Sequence, residues 1–187
     1  SGRLGGRIEQ RDDAARLAGD AALARSHPAI VQAAQAVAGP GHRTQATLGG
    51  NLCLDTRCVF YNQSEWWRQA NGFCLKRGGD VCHVAPQGKR CHAAFCGDVA
   101  PALLALDATV ELVASGGARR IALAELYRED GAAHLALAPG EIVARVLVPA
   151  ASAKLMTMVP LMAFAAGSPG LKSGWCWRGR PSLCPVR

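Results

Sequence analysis

The chain has 187 residues, of which 50% are hydrophobic and 19% are charged, and its formal net charge is +7. The apolar fraction excludes an intrinsically disordered protein, and a mean hydropathy near zero excludes an integral membrane protein. The longest apolar run, residues 155–166, is too short to span a bilayer, and the first residues show no secretion signal. We therefore expect a cytoplasmic globular protein with a well-formed core.

The positive charge is unevenly distributed along the chain. Residues 151–187 contain 5 of the 21 basic residues and no acidic residue, which leaves 16 basic and 14 acidic residues in residues 1–150. Because no basic stripe is interleaved with aromatic residues, we expect neither nucleic acid nor a membrane as a partner. The change in composition predicts that residues 151–187 form an atypical tail, non-native or disordered. Residues 1–12 carry no clear structural pattern.

Two helices are expected before the first glycine-rich segment. Alanine and leucine recur at helical spacing in residues 13–25, and Pro28 and Gly39 mark the start and the end of a second helix over residues 27–38. The sequence ATLGGNL follows at residues 46–52. Its paired glycines indicate a backbone that is approached closely by a ligand, so this segment is a candidate ligand loop.

The later part of the chain mixes helix and strand signals. Asp98 is the expected N-cap of a helix in APALLALD, and the apolar segments DATVELVA, RRIALAEL and EIVARVLVP follow. Turns at SGGA and APG separate these segments. This mixture predicts an α+β domain.

Residues 55–96 are rich in cysteine and aromatic residues and lack a sustained periodicity, which is typical of an insertion wrapped around a bound group. Six of the eight cysteines of the chain lie at Cys53, Cys58, Cys74, Cys82, Cys91 and Cys96. A chain with a core and no secretion signal belongs to a reducing compartment, where thiolate ligation of a metal or cluster is favoured over disulfides. Zinc bound by cysteine with His83 or His92 is the alternative, although the tight C-x2–4-C spacing typical of zinc is absent.

The two segments ATLGGNL (46–52) and GDVAPALLALDATVEL (97–112) together resemble the second flavin-binding segment of the FAD subunits of the molybdenum hydroxylase family, which includes xanthine and carbon monoxide dehydrogenases. The long intervening sequence, NLCLDTRCVFYNQSEWWRQANGFCLKRGGDVCHVAPQGKRCHAAF (51–95), is similar to an extra loop in the 4-hydroxybenzoyl-CoA reductase branch of that family. The resemblance covers residues 20–150. It implies the central part of a PCMH-type FAD-binding domain with an inserted [4Fe–4S] loop.

The resemblance assigns the cluster ligands to Cys58, Cys74, Cys82 and Cys91. A [4Fe–4S] cube needs four thiolates, one for each iron, and widely spaced ligands require a loop that folds around the cluster. For Cys53 and Cys96, packing as small apolar side chains is the expected role. Trp66 and Trp67 are expected to shield the cluster from water rather than to carry electrons.

The resemblance also implies a set of flavin contacts. Residues of the first segment would pass along the diphosphate and ribityl chain of FAD, an acid would accept from a ribityl hydroxyl, and an apolar residue would lie near the isoalloxazine ring. These residues are Ala46, Thr47, Gly50 and Asn51 for the first segment, Asp98 for the acid and Val143 for the apolar position. For Asp98 a helix N-cap and for Val143 core packing are the alternative roles.

The implied domain plan has three parts. Residues 1–54 and 97–150 form the FAD-binding subdomain, residues 55–96 form the cluster loop, and residues 151–187 form the tail. The first flavin segment of the family is not matched, because Gly5-Gly6-Arg7 differs from its pattern. We therefore expect this chain alone to bind FAD weakly or not at all, and to be inactive alone.

The implied function is electron transfer for reductive dehydroxylation of 4-hydroxybenzoyl-CoA to benzoyl-CoA. Electrons from reduced ferredoxin would enter at the [4Fe–4S] cluster, pass to FAD, and continue through a [2Fe–2S] small subunit to a molybdenum-cofactor large subunit. No catalytic residues are expected in this subunit, because the cofactors perform the chemistry. Two alternatives are the FAD subunit of another molybdenum hydroxylase, with electrons leaving through the flavin, and a zinc-stabilised module without a redox role.

Overall fold

The computed structural model describes residues 4–150, and the tail predicted for residues 151–187 lies outside them. Four strands form one antiparallel sheet: β1 (Leu4–Glu9), β2 (Thr109–Ala114), β3 (Gly117–Ala122) and β4 (Ile142–Pro149). Their order in the sheet is β1-β4-β2-β3. The three apolar segments predicted after residue 107 thus supply β2, β3 and β4.

The first strand was not predicted from the sequence. β1 pairs antiparallel with β4, with Ile8 opposite Val146 and Glu9 opposite Arg145. Arg145 lies between two carboxylates, with Glu111 Oε1 at 2.6 Å and Glu9 Oε1 at 3.3 Å. The N-terminal residues are therefore tied to the sheet by both backbone pairing and an ion-pair network.

Seven α-helices and two 3₁₀ turns, Leu75–Arg77 and Leu123–Leu126, lie within the described residues. The α-helices are α1 (Ala14–Gly19), α2 (Ala21–Ser26), α3 (Pro28–Ala36), α4 (Pro40–Arg43), α5 (Leu48–Leu52), α6 (Glu65–Ala70) and α7 (Ala100–Ala105). The single helix predicted over residues 13–25 is divided at Asp20, whose carboxylate accepts from the Ala22 and Leu23 N–H groups at 2.9 Å each. An acidic side chain that caps a new helix interrupts the preceding one. The second predicted helix is α3, which begins at Pro28 as expected.

The helices and the sheet share one hydrophobic core. Its most completely buried members come from both halves of the chain, namely Ile30, Leu48, Leu52, Leu103, Leu112, Leu123, Leu126 and Val146, each at most 1% exposed. Both α5 and α7 contribute to this core. The two segments matched to the flavin motif are therefore held by the same packing.

The cysteine-rich insertion leaves the domain between α5 and α7. Its regular structure is limited to α6 and one 3₁₀ turn, Leu75–Arg77. Arg57 and Ala94 close its base with two backbone hydrogen bonds of 2.7 and 2.8 Å. The insertion is thus a closed loop anchored beside the flavin segments. Across residues 4–150, none of the helices has the length and apolar character needed to cross a membrane.

Candidate functional site

The first predicted flavin segment forms the short helix α5. Thr47 is its N-cap, and the Thr47 Oγ1 atom accepts from the Gly50 N–H group at 3.1 Å. The N–H groups of Leu48 and Gly49 donate to the carbonyls of Asp12 and Gln10 at 2.8 and 2.9 Å. The Leu48, Gly49 and Gly50 amides are therefore bonded within the protein. The contact of this segment with the diphosphate and ribityl chain of FAD stays a prediction.

The two glycines of α5 have different physical roles. A Cβ on Gly49 would lie 2.9 Å from Gln10 Oε1 and 3.0 Å from Gln10 Cβ, so close packing requires glycine there. A Cβ on Gly50 would approach only the Thr47 Oγ1 atom, at 3.1 Å, and Gly50 is exposed. The open surface of α5 is thus at Gly50, the glycine predicted to contact FAD.

Asn51 and Asp98 join the two predicted flavin segments directly. The Asn51 Nδ2 atom donates to Asp98 Oδ2 at 3.1 Å, and Asn51 Oδ1 accepts from the Val99 N–H group at 3.0 Å. Asn51 is buried, whereas Asp98 is exposed. The predicted helix N-cap role of Asp98 is wrong, because α7 begins one residue later with Val99 at the N-cap and without a side-chain cap. The carboxylate is bound to Asn51 instead.

The remaining two predicted flavin residues lie in packed surroundings. The Ala46 carbonyl accepts from the Ala14 N–H group at 2.9 Å, and its side chain packs against the core. Val143 is 5% exposed, is part of the core and pairs with Leu112 across the sheet. The side chain of Val143 therefore has apolar partners within the protein, and its contact with a flavin ring stays a prediction.

An aromatic contact links the base of the insertion to α5, and sequence analysis did not identify it. The Phe95 and Tyr127 rings are 4.9 Å apart, and the Tyr127 hydroxyl donates to the Leu52 carbonyl at 3.0 Å. Burial raises the pKa of Tyr127 above its ordinary value. A Cβ on Gly97 would lie 2.7 Å from the Asn51 carbonyl oxygen and would also clash with the Phe95 ring. Glycine at this position was the one signal in the sequence for such close packing.

The four cysteines predicted to bind a cluster all lie in the anchored loop. Cys74, Cys82 and Cys91 are buried and Cys58 is half-buried, and all four are free thiols. Burial acts to raise the pKa of Cys82, but backbone N–H groups from His92, Ala85 and Val84 outweigh it and lower that pKa below its ordinary value. Donors of this kind stabilise a thiolate, the form that binds metals.

Three of these thiols influence one another electrostatically. Burial first, and then Cys82 and Cys74, raise the pKa of Cys91, while Lys76 acts in the opposite direction. The Ala93 N–H group also donates to the Cys91 sulfur at 3.4 Å. Of these two thiols, Cys82 is thus the one whose surroundings favour the thiolate form.

The four cysteine side chains are not close enough together to bind a single metal ion. Within residues 4–150, no group of three or more His, Cys, Asp or Glu side chains is arranged to hold one. The His83 Nε2 atom is 2.7 Å from the Phe73 carbonyl oxygen, and His92 is exposed. Within the described residues, this arrangement supports neither the zinc alternative nor the cluster. The four-cysteine ligand set stays a prediction.

Lys76 is a buried cation of the insertion that sequence analysis missed. Its side chain is 7% exposed, and the Nζ atom donates to Asp55 Oδ1 at 2.5 Å and to the Thr56 carbonyl at 3.0 Å. The same ammonium group lies 4.6 Å from the centre of the Tyr61 ring. These contacts hold the 3₁₀ turn after Cys74 against the start of the insertion.

Two expectations about the insertion are corrected. Trp66 is 75% exposed, so it does not shield the cysteines, whereas Trp67 is half-buried with its ring 6.2 Å from that of Phe60. Cys53 packs against the core as expected, and burial raises its pKa. Cys96 is exposed, so the packing role predicted for it is wrong. Trp66 is thus more exposed than the adjacent Trp67, and Cys96 is more exposed than Cys53.

The structure is an α+β domain in which α5 and Asp98 are joined by the side chain of Asn51. Comparison with known proteins assigns it: residues 13–151 match the FAD-binding domain in molybdopterin dehydrogenase, and the chain belongs to that family. The contacts of Thr47, Gly50, Asn51 and Asp98 with a cofactor stay a prediction. The family supports FAD as this cofactor.

Known proteins resemble this chain in sequence and in fold. The chain is 33% identical over 156 residues to the aldehyde oxidoreductase FAD-binding subunit PaoB of Escherichia coli (strain K12), covering 79% of this chain and 48% of that protein. The fold is similar to carbon monoxide dehydrogenase from Oligotropha carboxidovorans, with a TM-score of 0.52 and 23% identity, and to quinoline 2-oxidoreductase from Pseudomonas putida 86, with a TM-score of 0.52 and 18% identity. Each match covers 81% of this chain and 40% of the other chain. This chain thus spans less than half the length of these relatives.

Proposed function

We propose that this chain is the flavin and iron–sulfur part of a 4-hydroxybenzoyl-CoA reductase. The observation that carries the proposal is the position of the cysteine loop, which is inserted between the two flavin segments and anchored at Arg57 and Ala94. Three of its cysteines are buried within a chain that belongs to an FAD-binding family. An electron carrier bound in this loop would lie next to the flavin segments.

The FAD site is proposed at the joined ends of α5 and α7. Asn51 holds Asp98 in place, so the carboxylate is positioned to accept from a ribityl hydroxyl. The Thr47 hydroxyl, whose oxygen already accepts from Gly50, retains its own proton to donate to a phosphate oxygen. The open surface at Gly50 admits the cofactor backbone, and Ala46 and Val143 supply apolar support from the core. FAD, when bound, exchanges electrons singly or in pairs.

The cluster site is proposed at Cys58, Cys74, Cys82 and Cys91. Backbone donors at Cys82 and the Ala93 N–H group at Cys91 would remain as hydrogen bonds to ligating sulfurs, which are among the factors that set a cluster potential. A [4Fe–4S] cluster, when bound, transfers one electron at a time. Burial raises the pKa of Cys91, and the positive charge of Lys76 acts against this rise.

The proposed reaction consumes two electrons and two protons. The phenolic C–O bond of 4-hydroxybenzoyl-CoA breaks, a C–H bond forms, and benzoyl-CoA and water leave, while two reduced ferredoxins are each oxidised by one electron. A molybdenum-cofactor large subunit and a [2Fe–2S] small subunit are the proposed partners, with the substrate bound to the large subunit. This chain would supply electrons and no catalytic residue.

A second candidate is the FAD subunit of an aldehyde-oxidising enzyme. The 33% identity to PaoB, the FAD-binding subunit of an aldehyde oxidoreductase, favours it. In that case the same residues would hold FAD, but two electrons would arrive from aldehyde oxidation and leave through this subunit to an external acceptor. The direction of electron flow distinguishes the two candidates.

Co-expression of this chain with molybdenum-cofactor and [2Fe–2S] subunits distinguishes the two candidate functions. The reductase predicts conversion of 4-hydroxybenzoyl-CoA to benzoyl-CoA when reduced ferredoxin is supplied, with no reduction of a dye by aldehydes. Aldehyde-dependent dye reduction without dehydroxylation would replace the first candidate by the second.

Matched cysteine variants test the ligand set. We expect Cys74→Ser to lose the iron and sulfide of the purified chain, because it removes a ligand. Cys53→Ser should retain both, because Cys53 packs against the core outside the loop. Equal loss of iron in the two variants would show that the ligand set is wrong.

A further inference from the structure

The insertion exposes large apolar side chains at its surface. Val59 is 66% exposed, Trp66 is 75% exposed and Val84 is 50% exposed. Apolar side chains that lie together at a surface mark an interaction site, because contact with water is unfavourable for them. None of the three belongs to the proposed flavin contacts or to the four cysteine ligands. We call these three residues the insertion patch.

The segments that carry the insertion patch meet at the Phe60 ring. This ring lies 6.2 Å from the Trp67 ring and 5.4 Å from the His83 ring. Phe60, Trp67 and His83 are half-buried, and each is the immediate neighbour in sequence of one exposed patch residue. The three inner rings therefore bring the insertion patch together on one part of the insertion.

The insertion has an excess of positive charge. Six basic and three acidic residues lie in residues 55–96, which gives a net charge of +3. The Glu65 carboxylate, next to Trp66 in sequence, is shared by two guanidinium groups, with Arg68 Nη2 at 2.5 Å and Arg77 Nη2 at 3.6 Å. Three exposed charges of the insertion form no ion pair in the described part of the chain, namely Arg57, Lys89 and Asp80. A partner surface that carries carboxylates would compensate this excess.

The size and composition of the insertion patch favour a transient protein partner. Three apolar side chains cover far less area than a permanent subunit interface of about 2,000 Å² or more, whereas weak electron-transfer encounters have the smallest interfaces. Tryptophan is enriched among the residues that dominate protein binding. Polar residues separate Val59 from Trp66 in sequence, so the surface is not the continuous apolar face that a lipid bilayer requires.

We propose that the insertion patch docks a small acidic electron-carrier protein. Trp66 supplies the main apolar contact, because its side chain is the largest and the most exposed of the three. Carboxylates of the carrier face the exposed side chains of Arg57 and Lys89. That the partner carries electrons rests on the proposed function, whereas its acidic and apolar contact surface follows from the insertion itself.

Binding of a dye-labelled [2Fe–2S] ferredoxin, an acidic one-electron carrier, to the full chain tests the docking by fluorescence anisotropy. We expect saturable binding that weakens roughly tenfold when the salt concentration rises from about 0.03 M to about 0.3 M, because salt screens the charges. Cytochrome c, a basic carrier, should not bind. Absence of saturable ferredoxin binding would overturn the docking alone, because iron content and dehydroxylation activity test the proposed function separately.

Matched variants locate the docking surface. Trp66→Ser should weaken ferredoxin binding roughly tenfold, whereas Ile142→Ser, which removes an exposed apolar side chain from β4, should change it less than about twofold. Arg57→Gln should weaken binding more than Arg25→Gln, which removes an exposed charge on α2. Equal weakening within either pair would overturn the proposal.

Carbodiimide cross-linking provides a direct map, because it joins a lysine to a carboxylate in contact with it. Lys89 is exposed and should be joined to the carrier, whereas Lys76, with a side chain 7% exposed, should not. Cross-links found only at lysines outside residues 55–96 would overturn the proposal. Binding to phosphatidylserine vesicles that Trp66→Ser abolishes, without binding to ferredoxin, would replace the protein partner by a membrane.

Discussion

Asn51 joins the two flavin segments, and a charge introduced there should separate them. In Asn51→Asp, a second carboxylate would replace the amide that lies 3.1 Å from Asp98 Oδ2. Two unit charges 4 Å apart repel by about 4 kcal/mol at an effective dielectric constant of 20 and by about 1 kcal/mol in water. Because Asp98 is exposed, the lower part of that range applies, and loss of the hydrogen bond adds about 1 kcal/mol. We expect the free energy of unfolding to fall by about 2–3 kcal/mol at pH 7.

The assay is urea unfolding of each variant, followed by far-ultraviolet circular dichroism. The double variant Asn51→Asp with Asp98→Asn exchanges donor and acceptor, so it should recover most of the lost stability, while Asp98→Asn alone should change little. Asn51→Ala leaves the Val99 N–H group buried without an acceptor and should cost about 1–3 kcal/mol. An Asn51→Asp variant as stable as the parent, or a double variant no better than Asn51→Asp, would refute this account of the pair.

Three further predictions follow from individual contacts. Gly97→Ala should lower the free energy of unfolding by about 1–3 kcal/mol, because its Cβ would lie 2.7 Å from the Asn51 carbonyl oxygen, as checked by urea unfolding. Tyr127→Phe should cost about 1 kcal/mol in the same assay, since it removes the hydrogen bond to the Leu52 carbonyl. Hydrogen bonds from Arg119 lower the pKa of Glu141 from 4.5 to about 2, so the stabilisation from this pair should be complete above about pH 4.5 and lost as the pH falls toward 2. Between pH 2 and 6, the melting temperature should depend less steeply on pH in Glu141→Gln than in the parent protein.

Each of these predictions has a control within the chain. Gly116→Ala places a Cβ in open space and should have little effect, so equal destabilisation by Gly97→Ala and Gly116→Ala would contradict the packing argument. Leu104→Ala removes an exposed side chain and serves as a reference for Tyr127→Phe. If the melting temperature of Glu141→Gln depended on pH as steeply as that of the parent, the Glu141–Arg119 pair would not contribute to the pH dependence of stability.

The parts of the fold that could be predicted are those with a local signal. Pro28 and the alanine-rich spacing after it determine where α3 begins, and the last three apolar segments overlap β2, β3 and β4. β1 could not be predicted, because it is stabilised by pairing with β4, a strand more than a hundred residues away. The division at Asp20 was also missed, since an acidic residue within an alanine-rich stretch caps a helix only in the right backbone context.

Only some features of the candidate site could likewise be predicted from the sequence. The motif singled out Asn51 and Asp98, which the structure joins by a hydrogen bond, while their contacts with FAD stay a prediction. The alternative role of Asp98 as a helix N-cap is wrong, because Val99 is the N-cap of α7 and its N–H group donates to Asn51 instead. Lys76 could not be identified, since its partners Asp55 and Thr56 meet it only in the folded loop.

The central claim is that the anchored cysteine loop holds an iron–sulfur cluster beside an FAD site. The most direct measurement is the iron, sulfide and zinc content of anaerobically purified protein, together with an electron paramagnetic resonance spectrum after dithionite reduction. The account predicts about four irons and four sulfides per chain, as a [4Fe–4S] cluster requires, and the signal of a reduced cluster. One zinc without sulfide, or protein that lacks both metals after anaerobic reconstitution with iron and sulfide, would contradict it.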